Sequence, residues 1–526
     1  MSSRGRYRLR SRSGLASACH AGAIALVVVA FGAAANVASA WSGSSGGQVN
    51  IVRQAAPPPP SKIPANTHYY KTIQAAVNAS TSGDWVLIEP GTYYEEVKVA
   101  PAQSGIWIRG MNRNTVIIDG QHKVGNGIEI NKANDVWVEN LTVRNFEFGE
   151  KEGVECPDEE CGNEIWWNGG PNSNKVEAHG WWGSYLTAYD TGFRGGYGIF
   201  TGHETEGSWE NIYASGFADS GIYIGACQEC DARVSGAVME DNALGYSGSN
   251  AGGKLLLENS TYRHNLVGIA PNSEVPGDRP PPQDGECGRP NIENPDPTPI
   301  ITTTRIQRCT IIRNDLISEN DNLTVPVNGS TGIAPWGAGV ELPGDYADLV
   351  EDDKIVNNPN DGVLGFEYPN PTNGEALLEG KDPFSPLTVY FQLAGNRVSS
   401  NVFAHNGYND KASPFTGDIA LMGGFSEIEL FKELGYPESH SVNNCASSNQ
   451  LADATFPANI QQNQSCTKAT TPSPGGGLPA VEYLVGLQVE ADAIRAAVPP
   501  VGQPAPPPQQ TMPNPCKGAP KNPLCP

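Results

Sequence analysis

The sequence predicts an all-β fold of the solenoid class, in which one short structural unit repeats along an axis. A phrase of glycine followed by an apolar residue recurs, and its last four copies start 23, 24 and 23 residues apart, at Gly198, Gly221, Gly245 and Gly268. Three strands of about four to five residues with three turns fill that length, so each repeat can form one coil. The composition agrees, because 60 Gly and 43 Pro with only 17% charged residues favour many turns and short strands.

Apolar side chains recur at one place in the repeat, as a stacked core requires. The predicted inward ladder consists of Ile128, Ile199, Ile222, Tyr246 and Ile269. Asn242 and Asn265 each stand three residues before a coil-starting glycine. Stacked asparagines at such positions satisfy backbone groups at a tight corner, so we expect an asparagine ladder there.

Residues 1–40 are expected to be a signal peptide. Five arginines precede an apolar stretch over residues 21–35, and Ala38-Ser39-Ala40 has the small-x-small form of a cleavage site. A membrane anchor is the alternative, but the apolar stretch is shorter than the roughly 20 residues that a spanning helix needs. We therefore expect a protein that is secreted or held at the cell surface, with no membrane span after cleavage.

Composition also divides the remaining chain. Residues 41–65 are rich in Ser, Gly and Pro and predict a flexible linker. Residues 66–407 carry the solenoid pattern, with long insertions expected over 149–189 and 276–299. A C-terminal extension over 408–497 and a Pro-rich tail over 498–526 follow.

The excess of acidic over basic residues limits the classes of partner that the protein can bind. There are 34 Lys and Arg against 57 Asp and Glu, a net charge of −23. A nucleic-acid partner is excluded, because phosphate binding needs a basic face. An acidic exported protein suits neutral sugars or divalent cations better than acidic polymers, unless a basic patch or bound Ca2+ bridges the two. We expect a monomer.

Ten of the 11 cysteines follow the signal region and fall into sequence-near pairs. In an oxidising compartment they predict five local disulfides. The pairs are Cys156–Cys161, Cys227–Cys230, Cys287–Cys309, Cys445–Cys466 and Cys516–Cys525. The Cys-x-x-Cys spacing of the second pair is also that of redox and zinc motifs, but no second such motif or adjacent His pair completes a metal site.

The segment TIQAAVNASTSGDWVLIEPGTYYEEVKV, followed by IRGMNRNTVIIDGQ, resembles the opening of the right-handed parallel β-helix proteins of the pectate-lyase-like superfamily. The resemblance covers residues 66–121, and the coil pattern extends it to about residue 407. It implies a right-handed parallel β-helix with an N-terminal helical cap. The Asp-Pro-His-Asp motif of alginate epimerases and the active-site sets of pectin methylesterases and polygalacturonases are missing, so the resemblance is to exported repeat proteins and implies no particular chemistry.

Aromatic residues suggest where a ligand would bind. The candidates are Trp166, Trp167, Trp181, Trp182, Phe200 and Tyr223. By strand alternation the last two face outward, where aromatic rings can pack on sugars, or else form a satellite core beneath the insertion. The four tryptophans either line a groove or pack on the flank of the solenoid.

Catalysis on a sugar needs a base near the reacting proton, or two carboxylates about 5 to 10 Å apart. Residues of suitable type are Asp190, Arg194, His203, Asp219, Arg233, Glu240, Asp241, Arg263 and His264. Asp241 and His264 lie 23 residues, or one coil, apart, which places them within about 5 Å on adjacent strands. We select Asp241, His264 and His203 as candidate catalytic residues, with a surface hydrogen bond as the alternative for the pair.

Acidic residues crowd the segment from Glu150 to Glu160, which makes Ca2+ a candidate ligand. The alternative is a solvated acidic loop, since the spacing matches no calcium-loop template. Taken together, the sequence predicts a secreted β-helix protein that acts on or binds extracellular polysaccharide, with the reaction type open. The alternative is a non-enzymatic surface or matrix repeat protein, a scaffold for protein contacts.

Overall fold

A computed structural model describes residues 47–526 with gaps at 148–161, 171–175, 193, 228, 252, 273–286, 288–306, 328–330, 332–334, 371–388, 392, 426–427, 430–440, 442, 468–474 and 500. Four features expected from the sequence lie outside the described residues. They are the signal peptide, the Cys156–Cys161 pair, the acidic loop proposed for Ca2+ and, apart from Cys287, the insertion over 276–299.

Three long parallel sheets wind around one axis, and each coil contributes one strand to each sheet in turn. In the described residues, sheet A contains β1 (Val49–Val52), β2 (Thr67–Tyr70), β3 (Trp85–Ile88), β6 (Trp107–Gly110), β9 (Val136–Glu139), β12 (Ala178–Ser184), β15 (Glu204–Glu210), β18 (Ala232–Ser235), β21 (Leu255–Glu258), β24 (Thr310–Arg313), β27 (Leu349–Glu351), β32 (Arg397–Ser399) and β35 (Cys445–Ser447). Sheet B contains β4 (Gly91–Tyr93), β7 (Val116–Asp119), β10 (Thr142–Arg144), β13 (Thr187–Tyr189), β16 (Tyr213–Ser215), β19 (Val238–Glu240), β22 (Thr261–Arg263), β25 (Leu316–Ser318), β28 (Lys354–Val356) and β33 (Val402–Ala404). Sheet C contains β5 (Val97–Val99), β8 (Asn126–Asn131), β11 (Asn163–Asn168), β14 (Tyr197–Gly202), β17 (Ser220–Gly225), β20 (Leu244–Ser249), β23 (Val267–Asn272), β26 (Ala338–Pro343), β29 (Asp361–Phe366), β34 (Gly417–Met422) and β36 (Thr455–Phe456). This arrangement is the right-handed parallel β-helix that the sequence predicts.

A few elements lie outside the three sheets. They are the antiparallel pair β30 (Tyr368–Asn370) and β31 (Val389–Phe391), the helices α1 (Ile73–Asn78), α2 (Ile460–Asn463) and α3 (Gly477–Ala497), and 3-10 turns over Pro60–Lys62 and Pro101–Gln103. Helix α1 begins after Thr72, whose side chain accepts a hydrogen bond from the Ala75 amide. Its buried face packs into the main core and forms the expected N-terminal cap.

The core fills the space between the sheets. The predicted inward ladder is confirmed, because its members pair in register along sheet C and are fully buried. Ile165 also belongs to it, and Val340, Val363 and Ile419 continue it. Because every coil adds one apolar residue to the same stack, stability accumulates with each neighbouring coil.

The corner between sheets B and C carries the expected asparagine ladder, and it is longer than predicted. The Asn242 amide donates to Asn265 Oδ1 at 3.0 Å, and the same bond joins each asparagine to the next, through Asn320, Asn358 and Asn406. The other two corners have ladders of their own in the C-terminal coils. The A–B corner uses Asp315, Asp353, Asn401 and Asn449, and the C–A corner uses Asp348, Asn396 and Asn444.

Three expected boundaries were wrong. The linker over 41–65 contains β1, which pairs with both β2 and β3, because its four residues are apolar or buried on both faces. The insertion over 149–189 contains β11, β12 and β13, one strand of each sheet, since its paired tryptophans fit strand positions. The solenoid also continues past residue 407, through β34, β35 and β36.

The Pro-rich tail packs back onto the solenoid. Its backbone is held at residues far from it in sequence: Asn114 bonds Gln509 twice at 2.8 Å, and Asn140 Oδ1 accepts from the Met512 amide at 2.8 Å. Further along, Arg109 donates to the carbonyls of Pro515 and Lys517 at 3.0 and 2.7 Å. The tail therefore forms part of the folded structure of the N-terminal coils.

Four of the five predicted disulfides are present: Cys227–Cys230, Cys287–Cys309, Cys445–Cys466 and Cys516–Cys525. The Cys227–Cys230 bond excludes zinc ligation by this pair in the oxidised form, because both sulfurs are bonded to each other. Among the described helices, none has the length and apolarity to cross a membrane. Both findings are compatible with an extracellular protein.

Candidate functional site

The B–C corner changes character along the solenoid. Two positions after the end of a sheet B strand, the residue is asparagine from Asn242 onward. In the four coils before Asn242 it is Gln121, Phe146, Thr191 or Phe217. The first three of these coils therefore lack the stacked amides. In their place, polar side chains from three coils converge on one point.

His122, Glu147 and Asp190 meet at this point. His122 Nδ1 lies 2.9 Å from Glu147 Oε1 and 3.4 Å from Asp190 Oδ1, and one ligand atom from each residue lies within 4.8 Å of the others. The side chain of His122 is 35% exposed, that of Glu147 is 11% exposed and that of Asp190 is fully buried. We call these three residues the corner triad. Only its imidazole is open to a large molecule.

Backbone amides of one loop fix both carboxylates. Asp190 Oδ1 accepts from Gly192 at 2.7 Å and its Oδ2 accepts from Gly195 at 2.9 Å. Glu147 Oε2 accepts from the Arg194 amide at 2.8 Å. The loop therefore holds two negatively charged groups beside one imidazole, with little freedom to move.

Burial and charge raise the pKa of Asp190 to about 7. Desolvation is the largest cause and the charge of Glu147 adds to it, whereas the Gly192 amide, His122 and the Gly195 amide oppose it. A carboxyl group that titrates near neutrality beside a histidine is typical of acid–base sites.

Glu164 adds a further carboxyl beneath the triad. Seven other sheet C strands have glycine at the corresponding position, whereas β34 has Asp418. The glycines are Gly127, Gly198, Gly221, Gly245, Gly268, Gly339 and Gly362. Glu164 is fully buried, and its carboxylate accepts from the Phe146 amide at 3.2 Å. Its carboxylate therefore accepts the Phe146 amide in the same way that asparagine side chains accept backbone amides in the later coils. Burial, followed by the charge of Asp190, raises its pKa well above the usual range.

An arginine borders the cluster. Arg144 donates through Nε to Asp119 Oδ2 at 2.9 Å and through Nη1 to the Tyr189 hydroxyl at 2.7 Å. Its Nη2 also lies 2.8 Å from the same carboxylate oxygen. Asp119, Arg144 and Tyr189 end three adjacent strands of sheet B, so they stack in register beside the corner triad.

The predicted catalytic residues are only partly brought together. Asp241 and His264 occupy equivalent places on adjacent coils, as coil arithmetic predicts. Asn322 donates to Asp241 at 2.9 Å, and His264 lies between Glu319 and Asp321 at 3.7 and 3.8 Å. This pair is thus part of a surface network.

His203 does not belong with Asp241 and His264. It lies between β14 and β15 at the C–A corner, next to the buried Glu204. Burial lowers the pKa of its imidazole, with a smaller opposing effect from Glu177. His203 therefore lies at a different corner from Asp241 and His264, and sheet C separates the two corners.

The predicted aromatic ligand residues separate into three environments. Trp167 and Trp181 point inward and are fully buried, so assigning them to a ligand groove was wrong: strand alternation turns one residue of each Trp-Trp pair into the core. Trp166, Phe200 and Tyr223 form an outward cluster with Tyr197 on sheet C. Phe200 and Tyr223 are buried there, as the satellite-core alternative predicts.

Trp182 belongs to a stack on the outer face of sheet A. Successive ring centroids from Trp85 through Trp107 and Trp137 to Trp182 lie 4.8, 4.3 and 6.1 Å apart, with interplanar angles of 6, 14 and 14°. The first two rings are covered by the tail, next to Cys525. Trp137 and Trp182 are partly exposed.

Sequence reasoning included Asp190 among residues of suitable type and missed His122 and Glu147. A usable signal exists, because these two stand 25 residues apart, close to one coil, and each lies three positions after the end of its sheet B strand. The asparagine ladder drew attention to later coils. The corner that lacks the ladder is the one that carries the triad.

Comparison with solved structures finds parallel β-helix proteins of low similarity. A mannuronan C-5 epimerase A-module from Azotobacter vinelandii is 12% identical with a TM-score of 0.42, over 73% of this chain and 91% of that one. A pectin methylesterase from Erwinia chrysanthemi is 12% identical with a TM-score of 0.29, over 70% and 92%. An alginate lyase from Paenibacillus sp. str. FPU-7 is 10% identical with a TM-score of 0.31, over 73% and 93%. No protein-family model and no curated protein sequence matches the chain.

Proposed function

We propose that this is a secreted enzyme that acts on extracellular polysaccharide through acid–base chemistry at the corner triad. The observation that carries the proposal is the convergence of His122, Glu147 and Asp190 within 4.8 Å, on a rigid corner and with the imidazole exposed. A partly exposed base fixed among buried carboxylates is an arrangement suited to proton transfer from a bound substrate.

The three residues take different roles in this proposal. His122 is the partly exposed member and exchanges the proton with the sugar through Nε2, because Nδ1 is shielded from solvent. Thr191, whose hydroxyl lies 3.3 Å from Nε2, orients the ring, and Glu147 and the fully buried Asp190 are positioning residues beside Nδ1. The pKa of Asp190, raised to about 7, keeps the proton content of the cluster sensitive to pH near neutrality.

A polymeric sugar fits the shape and charge around the triad. The solenoid presents a long straight edge along which an extended chain can lie over several coils. Several carboxyl groups crowd the corner, so a neutral glycan is favoured, and an anionic one requires a bridging cation. The sequence predicts Ca2+ as a candidate for this bridging cation. Its predicted ligands are acidic residues outside the described part of the chain.

The test is a panel of plant, algal and bacterial polysaccharides incubated with the mature protein. Ultraviolet absorbance of unsaturated uronates, new reducing ends and uptake of solvent deuterium report lyase, hydrolase and epimerase chemistry respectively. His122→Gln should lower whichever rate is found by roughly 100-fold or more, the range of general acid–base contributions. His264→Gln, at an equivalent corner, is the matched control and should leave the rate unchanged.

Either of two results would overturn the proposal. One is that none of the polysaccharides is altered. The other is that His264→Gln lowers the rate as much as His122→Gln, which would move the chemistry to the downstream corner.

A non-catalytic glycan-binding function is the second candidate, and the partly exposed Trp137–Trp182 stack favours it. Parallel indole faces at this spacing offer apolar surfaces on which successive sugar rings can pack. Retention of a polysaccharide that is not altered, abolished by Trp182→Ala and not by His122→Gln, would establish this function in place of the first.

A further inference from the structure

We infer that the corner triad binds one small divalent transition-metal ion, for which Zn2+ is the natural probe. The inference rests on the proposed function only in placing the ion at the same site. The ligands are His122 Nδ1, Glu147 Oε1 and Asp190 Oδ1.

The ligand spacing matches such an ion. An ion with bonds of about 2.1 Å separates neighbouring ligands by roughly 3.0 Å in an octahedron and 3.4 Å in a tetrahedron. The imidazole nitrogen lies 2.9 Å from Glu147 and 3.4 Å from Asp190. Both imidazole–carboxylate separations already match, and the Glu147 and Asp190 oxygens lie within 4.8 Å of each other, so binding requires at most a modest movement of the carboxylates.

The missing hydrogen bond at His122 Nδ1 is a second, independent observation that supports a metal ion at this point. Nδ1 is shielded from solvent and makes no hydrogen bond, although a carboxylate oxygen lies 2.9 Å away. A buried ring nitrogen aimed at two carboxylates without a hydrogen bond to either leaves a place for a cation between the three atoms.

Thr191 fixes which ring nitrogen is available. Its hydroxyl donates to Asn145 Oδ1 at 2.9 Å, so its oxygen is left to accept from His122 Nε2, 3.3 Å away. The hydrogen on Nε2 leaves the lone pair on Nδ1, facing Glu147 and Asp190. Metal-bound histidines are oriented by such a hydrogen bond to the other ring nitrogen.

The donor set selects the class of ion. One imidazole and two carboxylates suit Zn2+, Mn2+ or Fe2+, whereas Ca2+ takes about six to eight oxygens at longer distances. Three protein ligands leave a position open, and the exposed side of His122 faces solvent. A water or a sugar hydroxyl can occupy that position, as in catalytic zinc sites.

The test measures metal binding directly on the mature protein stripped with a chelator. Titration with Zn2+, followed by calorimetry and by metal analysis after dialysis, should show one bound ion per chain. His122→Gln and Glu147→Gln should weaken binding by at least tenfold, whereas His264→Gln, whose imidazole also lies between two acids, should bind normally. Ca2+ should not compete at equal concentration.

Thr191→Val tests whether the orientation of the His122 ring matters for metal binding, without removing a metal ligand. It preserves all three ligands and should still weaken Zn2+ binding by roughly 10- to 100-fold, the usual effect of removing a partner of a ligand. Thr191→Ser should restore it. Thermal melts of each variant without metal show whether it remains folded.

Failure of the inference is distinguishable from failure of the proposed function. No bound Zn2+, or Zn2+ bound equally well by His122→Gln, overturns the metal site whatever the activity. Zn2+ bound at the triad with no polysaccharide altered upholds the metal site and overturns the proposed function.

Discussion

The B–C corner of the solenoid has two different structures, one in the N-terminal coils and one in the later coils. The later coils form a structural ladder, whereas the N-terminal coils carry the candidate site. From Asn242 to Asn406 the B–C corner is a continuous ladder in which each side-chain oxygen accepts the amide of the preceding coil. In the N-terminal coils the equivalent positions hold no asparagine, and Glu164 alone takes over this role for Phe146. Where the ladder stops, charged groups from adjacent coils can approach one another.

The comparison teaches that regularity and function compete for the same backbone positions. A laddered corner satisfies its buried polar groups internally and leaves none for a ligand. The N-terminal corner instead collects Asp119, Glu147, Glu164 and Asp190, and burial followed by repulsion between carboxylates raises the pKa values of Glu164 and Asp190. Locally unfavourable electrostatics of this kind are tolerated because the surrounding stack of coils is stable.

Breaking the ladder should have the largest effect. Asn358→Ala removes the acceptor of the Asn320 amide and the donor to Asn406, in the fully buried interior of the corner. We expect the free energy of unfolding to fall by about 2–4 kcal/mol, since buried partners are left unsatisfied. Urea unfolding followed by circular dichroism measures it.

Lys354→Ala, an exposed change in the same coil, is the control for the ladder variant and should shift stability by less than about 0.5 kcal/mol. If the two variants unfold at the same urea concentration, the ladder is not a source of stability.

Removing the tail should affect the N-terminal coils selectively. A chain that ends at residue 499 loses the carbonyl of Gln510, which accepts from the buried Arg113 guanidinium at 3.0 Å, and uncovers Trp85 and Trp107. We expect a loss of about 1–3 kcal/mol for the unsatisfied guanidinium and faster amide exchange in the first coils. Hydrogen exchange read by mass spectrometry tests this, with the coils from β27 onward as the internal control. Equal acceleration in both regions would contradict the prediction.

Replacing one buried acid in each region tests how the free energy of unfolding depends on pH in the two regions. Burial raises the pKa of Asp348 to about 7, and that of Glu164 is raised too. Each acid is protonated in both states at low pH, and stability is lost as pH rises from the unfolded pKa through the folded one. Asp348→Asn and Glu164→Gln keep an acceptor for the Thr310 and Phe146 amides, so they remove this loss.

The expected gain for both acid variants is on the order of 1 kcal/mol or more at about pH 8 and close to zero at about pH 4. Unfolding midpoints at the two pH values measure it. Only Glu164→Gln should also alter the activity of the triad. A gain that is independent of pH would show that packing, not ionisation, is responsible.

Reduction of the disulfides should have the smallest effect on the fold of either region. Each bond closes a local segment, with sequence separations of 3, 22, 21 and 9 residues, whereas the core comes from stacked coils. The far-ultraviolet circular dichroism spectrum should be retained under mild reduction at room temperature. Loss of the β signal would mean that the coils depend on the bonds for folding.

The repeat and the inward ladder were predictable because they depend on local periodicity. Ile199, Ile222 and Ile269 hold the same place in coils of nearly equal length, so counting residues finds them. The same counting overlooked β1 and the strands within 149–189, where a Pro-rich stretch and paired tryptophans hid the alternation. It also did not distinguish Trp166 from Trp167, since the parity of a strand depends on its partners.

The sequence by itself determined the class of fold, the local disulfide pairs and the asparagine corner, because each follows from residues close together or from one constant period. Only the tertiary structure decided that His122, Glu147 and Asp190 meet and that the tail returns to Arg109 and Asn114. The physical reason is that coils differ in length, since Glu147 and Asp190 stand 43 residues apart whereas His122 and Glu147 stand 25 apart. Once a coil carries extra residues, its register with neighbouring coils is set by strand pairing and core packing, and sequence spacing no longer reports which side chains touch.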